Sequence, residues 1–142
     1  MVTNFIISEA LKRQGETKTS EDIKVGQAIM KVVGVGGGGC NAVSWLYKKG
    51  IQGAEVIIMN TDKQHLDISE GDRKILIGRE LTRGLGAGGF LEKGREAAKE
   101  ALYDIKEALK ESDMVFVCAG MGGGTGTGAA PVVAQVAKEM GA

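Results

Sequence analysis

Residues 120–128 read Gly120-Met121-Gly122-Gly123-Gly124-Thr125-Gly126-Thr127-Gly128, six glycines and two threonines in nine positions. A run so poor in side chains builds no core of its own, and each glycine costs more entropy to order than any other residue. The run follows Asp113–Ala119, whose Met114, Val115, Phe116 and Val117 suit a buried strand, and it opens a segment with helical spacing. Glycines and hydroxyls at such a junction make a nest of backbone amides at a helix N-terminus, which is a site for an anion. No packing requirement predicts this sequence. The G-x-x-x-x-G-K-[ST] pattern is absent, so phosphate charge must be met by amides, helix dipoles and Mg²⁺, with no lysine in the loop.

Two further clusters share this character. The chain holds 23 glycines, about twice the usual share, and fifteen fall at Gly34–Gly39, Gly84–Gly89 and Gly120–Gly128. Gly34-Val35-Gly36-Gly37-Gly38-Gly39 satisfies G-x-G-x-x-G between a strand and a helix. It reads as a phosphate loop or as a tight turn without ligand, and it does not separate a mononucleotide from a dinucleotide. Gly84-Leu85-Gly86-Ala87-Gly88-Gly89 is either a mobile loop or one whose ordering a bound phosphate offsets. Asn60-Thr61-Asp62 ends a second strand, where it suits a ribose, a phosphate, a hydrated Mg²⁺ or simply a helix N-cap.

The segments between the clusters alternate strand and helix. Strands are expected at Ile29–Val35, Glu55–Met59, Lys74–Ile77 and Asp113–Ala119. Helices are expected at Asn41–Lys49, Lys63–Asp67, Leu91–Lys110 and Gly126–Met140, with Gly50 and Gly141 as C-terminal stops. Pro131 is tolerable only near the start of its helix. The pattern predicts an α/β, Rossmann-like fold: a mostly parallel sheet with helices on both faces, truncated after its fourth main strand–helix unit. Ligands of such sheets bind beyond the carboxyl ends of the strands. Residues 1–27 read as an arm, with Phe5, Ile6, Ile7 and Leu11 on a short amphipathic helix followed by a polar linker, and residues 28–142 as one partial nucleotide-binding domain.

Eighteen basic residues balance eighteen acidic ones, which argues against nucleic acid or an anionic membrane as partner. Cys40 and Cys118 make no disulfide framework and no metal-ligand spacing. No signal peptide or membrane-length apolar run is present, so a soluble cytoplasmic protein without membrane insertion is expected. Cys40, at a helix start, reads as a reactive thiol of lowered pKa or as a packed, inert one. His65, the single histidine, reads as a surface residue, and Trp45 as packing on the first helix.

Gly122–Gly128 resembles the signature loop of the tubulin/FtsZ superfamily. Gly34–Val43, including Cys40-Asn41-Ala42-Val43, resembles the family's first loop, Asn60-Thr61-Asp62 its second and Gly84–Gly89 its third. Asp113–Phe116 and Ala129–Ala134 add to the likeness, which runs in order from about Lys31 to Gly141 and points to the prokaryotic FtsZ branch, archaeal in type, rather than to eukaryotic tubulin. The resemblance implies GTP or GDP as ligand, with Mg²⁺ as an allowed companion, and head-to-tail polymerisation in cell division. It implies phosphate contacts from Gly37, Gly38, Gly39, Cys40 and Asn41 and from Gly124, Thr125 and Gly126, with Ala87, Gly88 and Gly89 sensing the γ-phosphate; Asn60, Asp62, Gly120, Met121, Gly122 and Gly123 are further candidate nucleotide-binding residues. Cys40 stands where the family often has Gly, and Phe90-Leu91 where it often has Asn-Pro.

In the family, the remaining guanine and ribose contacts, the second domain and the acidic loop that completes a neighbour's active site lie beyond the part that these 142 residues resemble. The expectations are therefore no catalytic residue here, little hydrolysis and weak guanine binding by this chain alone, and self-association through an exposed edge strand at 113–119 as a dimer or domain swap. Two other functions compete: a Rossmann-type NAD-binding half of an oxidoreductase, which leaves the later glycine clusters without a purpose, and a non-catalytic module that caps filaments of full-length FtsZ.

Overall fold

A computed structural model describes residues 26–142. The amphipathic helix expected around Phe5–Leu11 lies outside the described residues. Four strands, β1 (Met30–Val35), β2 (Ala54–Asn60), β3 (Arg73–Leu76) and β4 (Met114–Ala119), form one sheet in the order β3-β2-β1-β4, with every pairing parallel. Helices α1 (Gly36–Lys48), α2 (Lys63–Ile68), α3 (Arg79–Thr82), α4 (Leu91–Glu100), α5 (Leu102–Leu109) and α6 (Gly124–Glu139) complete it.

The pleat divides the apolar residues of β1 and β2 between two cores. Val32, Val56 and Ile58 meet Cys40 and Val43 of α1 and Leu66 of α2 on one face. Val33, Val35, Ile57 and Met59 meet α4, α5 and α6 on the other, chiefly through Ala97, Ile105, Leu109, Val133 and Val136. Helices on both faces thus follow from strands that are apolar at successive positions. Lys31, the one charge in β1, is buried beside the end of α5. Its Nζ donates to the carbonyls of Ala108 (2.7 Å) and Lys110 (3.1 Å) and pairs with Glu55 at 3.2 Å. The ammonium thereby satisfies carbonyls that a helix end leaves without partners, and this offsets the cost of burying it.

Several boundaries differ from expectation. The helix expected from Asn41 begins at Gly36, so Gly36–Gly39 of the first cluster are its first turn. The helix expected over Leu91–Lys110 bends at Ala101 (φ −95°, ψ 18°) into α4 and α5. Hydrogen bonds from Ala101 N to Ala97 O and from Ile105 N to Ala101 O span the bend. α4 follows α6, while α5 also reaches β3 and keeps Ile105 and Leu109 in the core. α6 starts at Gly124 rather than Gly126, which places Pro131 inside the helix. Pro131 sits on an exposed position, where water can serve the carbonyl it leaves unpaired. Trp45 is 63% exposed on α1, with Lys49 Nζ 5.2 Å from its ring centre, so it does not pack into the core. The short α3 was not anticipated. β4 is an edge, as expected: among the described elements it pairs with β1 alone, and Met114 and Phe116 are exposed along it.

Candidate functional site

Parallel strands end on one edge of their sheet, and three of these four run out there into glycine-rich or polar segments. Val35 leads into Gly36–Gly39, Asn60 into Thr61-Asp62, and Ala119 into Gly120–Gly123. The cluster at 84–89 follows α3, and hydrogen bonds bring it to the same edge: Gly86 N donates to Thr61 O at 3.2 Å and Lys63 N to Gly84 O at 3.0 Å. The buried hydroxyls of Thr61 and Thr125 are 2.6 Å apart, which joins the second loop to α6. Gly122 N donates to Thr127 Oγ1 at 2.9 Å, closing the loop that precedes α6.

Two groups of glycine stand out on this edge. At six of the fifteen clustered glycines a Cβ would come within 3 Å of backbone. A Cβ on Gly39 would lie 2.2 Å from Cys118 O, on Gly36 2.7 Å from Gly126 N, on Gly126 2.6 Å from Gly120 O, and on Gly124 2.8 Å from Phe90 N. Between α4 and α6 the approach is closest, with 2.0 Å from a Gly128 Cβ to Leu91 O and 2.3 Å from a Gly94 Cβ to Gly124 O. The expectation that no packing requirement explains residues 120–128 is thereby corrected. Gly124, Gly126 and Gly128 are there because two helices and two loops meet backbone to backbone.

Gly37 and Gly123 belong to the second group. A Cβ on either would meet nothing within 4 Å, and neither has the left-handed φ that favours glycine. Glycine at Gly37, in the first helical turn, costs up to about 1 kcal/mol relative to alanine. The fold draws no return on that cost. Both residues stand at helix starts, Gly37 in the first turn of α1 and Gly123 at the N-cap of α6. These helices are 13 and 16 residues long, have no side-chain cap and carry no acidic residue in the first turn. Their unpaired N–H groups and partial positive charge therefore face the edge uncancelled, open to close approach by an anion.

The remaining expected residues sort by exposure. Gly38, Asn41, Gly88, Gly89, Gly120, Met121 and Gly122 are exposed, and Asp62 is partly so. Gly39, Cys40, Ala87, Gly124, Thr125 and Gly126 are buried, as is Asn60. Asp62 fulfils its capping role, with Oδ1 accepting from His65 N at 3.0 Å at the start of α2. Sequence reasoning passed over three residues that organise the edge: Thr61, Thr127 and His65. Thr127 lay inside the signature loop and could have been named, whereas His65 had no signal beyond being a lone histidine. Its ring lies between Asn60 Nδ2 (3.1 Å) and Asn41 Oδ1 (3.0 Å) and ties the first loop to the second.

Cys40 turns its thiol into the core, where Sγ donates to Met59 O at 3.3 Å. Burial pushes the thiol from its ordinary 9.0 up to about 11. It is the inert thiol of the two alternatives. Because the folded-state value lies above the unfolded one, this group's contribution to stability is complete below pH 9 and is lost as pH rises towards 11, by roughly 3 kcal/mol in all. Urea unfolding of the chain and of Cys40→Ala across that window is expected to show a steeper decline for the cysteine form. Parallel declines would contradict the assignment.

Among the described residues, no group of three or more His, Cys, Asp or Glu is placed to hold a metal ion, and no helix is long and apolar enough to cross a membrane.

Comparison with known proteins bears on the same segment. The family model described as the Tubulin/FtsZ family, GTPase domain, matches residues 29–142. Cell division protein FtsZ 2 of Methanocaldococcus jannaschii is 56% identical over 142 residues, covering 100% of this chain and 37% of the relative. Cell division protein FtsZ 1 of Archaeoglobus fulgidus is 57% identical over 116 residues, covering 82% of this chain and 32% of the relative. Among solved structures, an M. jannaschii FtsZ dimer described as empty superposes with a TM-score of 0.80 at 50% identity, covering 95% of this chain and 37% of that one. The chain thus spans about a third of the length of these relatives.

Proposed function

The chain belongs to the Tubulin/FtsZ family, in its GTPase domain, and from that premise we propose that its joined loops hold the phosphates of GTP or GDP. The observation that carries the reading is the pair Gly37 and Gly123, two glycines without internal cause at two uncapped helix N-termini. In this reading Gly37–Asn41 and Gly120–Gly126 surround the phosphates, Asn60 and Asp62 flank them, and Ala87–Gly89 lie where a terminal phosphate reaches the third loop. Backbone amides supply most of the hydrogen bonds and the helix ends supply the charge. Mg²⁺ is compatible as a companion, because it takes most of its ligands from phosphate and water. Asp62 is the one protein carboxylate in these loops. No hydrolytic step is assigned to these residues.

Family membership favours this reading over a dinucleotide-binding oxidoreductase half. Polymerisation in cell division, a cytoplasmic location and action on FtsZ filaments are proposals for the protein as a whole. Self-association has support from the relatives described as a dimer and as a protofilament and from the one-sided edge of β4. Calorimetric titration with GDP and with NAD tests the ligand class. GDP is expected to bind with a dissociation constant on the order of 0.1 mM, a modest affinity of about 5 kcal/mol suited to contacts made mainly with phosphate. NAD binding with indifference to GDP would overturn the proposal.

A further inference from the structure

We infer that His65 sets which end of the Asn41 side-chain amide faces the candidate site, making Asn41 a hydrogen-bond donor to an acceptor-rich ligand such as a nucleoside diphosphate. This rests on the reading of Asn41 as a ligand contact. The polarity originates at two backbone N–H groups, which can only donate. Thr61 N and Asp62 N point at Asn60 Oδ1, at 2.9 and 3.3 Å. With its oxygen so committed, Asn60 turns Nδ2 towards His65 Nδ1, 3.1 Å away. Nδ2 also only donates, so Nδ1 must be bare, and the neutral ring carries its proton on Nε2. Nε2–H lies 3.0 Å from Asn41 Oδ1 and donates to it. The opposite tautomer would set an N–H against the Asn60 amide hydrogens. Its one outlet would be Ser69 Oγ, which gives its own proton to the His65 carbonyl at 2.7 Å and could accept, but at 3.4 Å that contact is at the outer limit of a hydrogen bond and leaves the Asn60 amide hydrogens against the ring.

Asn41 is exposed in α1, two positions beyond the last glycine of its first turn. With Oδ1 held by His65, its free hydrogens are those of Nδ2. These suit phosphate, ribose or carbonyl oxygens and repel no anion. His65 is itself held by its backbone N–H on Asp62 Oδ1. It is thus a positioning residue through which the second loop dictates the chemistry the first loop presents.

Long-range ¹H–¹⁵N spectra of the full chain read the tautomer without any ligand. In the neutral ring the proton is expected on Nε2 with Nδ1 bare, and the reverse would overturn the inference. GDP titrations then measure the consequence. His65→Ala is expected to weaken binding about five- to tenfold, the scale of one hydrogen bond. His65→Gln keeps a donor and an acceptor on one side chain and is expected to recover most of that loss. Asn41→Ala should cost a similar factor, and the double substitution little more than either alone. Equal losses in His65→Ala and His65→Gln would mark a merely structural role and overturn the inference. A loss in Asn41→Ala with none in His65→Ala would overturn it while leaving the site reading intact. No loss in Asn41→Ala would overturn both.

Discussion

Alanine at Gly128 is expected to lower the stability of the folded chain by about 3 kcal/mol, the upper range for overpacking. The added Cβ would fall 2.0 Å from Leu91 O and 2.6 Å from Arg95 N, and both atoms belong to the backbone of α4. No side-chain rotation relieves such a contact, so α4 must lift from α6. That separation would loosen the core around Ala97, Ala98 and Val133, all fully buried on this face. Helix propensity acts in the opposite direction, favouring alanine by roughly 1 kcal/mol. The sign of the measured change therefore separates close backbone packing from intrinsic preference. Urea denaturation of the two forms gives the difference. A change smaller than about 1 kcal/mol, or a gain, would contradict the helix approach described for α4 and α6.

Alanine at Gly37 or Gly123 is expected to do the reverse. Stability should hold or rise, by up to about 1 kcal/mol at Gly37, because nothing stands within 4 Å of the new methyl group and Gly37 is helical. Nucleotide binding should weaken at least about tenfold in each, because a methyl group at the rim holds phosphate oxygens away from the helix-terminal amides. Thermal unfolding checks the first part and GDP titration the second. The contrast with Gly128 matters more than either value: glycines only a few positions apart are expected to separate cleanly into one class for folding and another for binding. Loss of stability at Gly37, or unchanged binding in both variants, would remove the basis for that separation.

Much of this division was hidden in the sequence. The parallel α/β sheet was legible because β1 and β2 are apolar at consecutive positions, the mark of strands covered on both faces. The loops were legible because glycines clustered between the patterned segments, two of the three clusters at strand ends. Which glycine serves which purpose was not, since a run such as Gly122-Gly123-Gly124 carries no record of what lies opposite each Cα. Gly123 faces open space and Gly124 faces Phe90 N at 2.8 Å, a difference that exists only once α4 and α6 are docked. The bend at Ala101 was equally invisible, because alanine prefers helix and the bend only has meaning once α4 lies along α6 and α5 reaches β3. His65 escaped notice for a related reason: its role depends on Asn41, 24 positions away, and on two backbone N–H groups that orient Asn60.

The central claim is that the starts of α1 and α6 form one phosphate cradle, and amide-resolved NMR during a GDP titration tests it most directly. The account predicts that the amides of Gly36–Asn41 and Gly120–Gly126 shift together along a single saturation curve, and that Gly37→Ala weakens the response of both segments while leaving the spectrum folded. Shifts confined to one segment, or a response that Gly37→Ala leaves untouched, would contradict it.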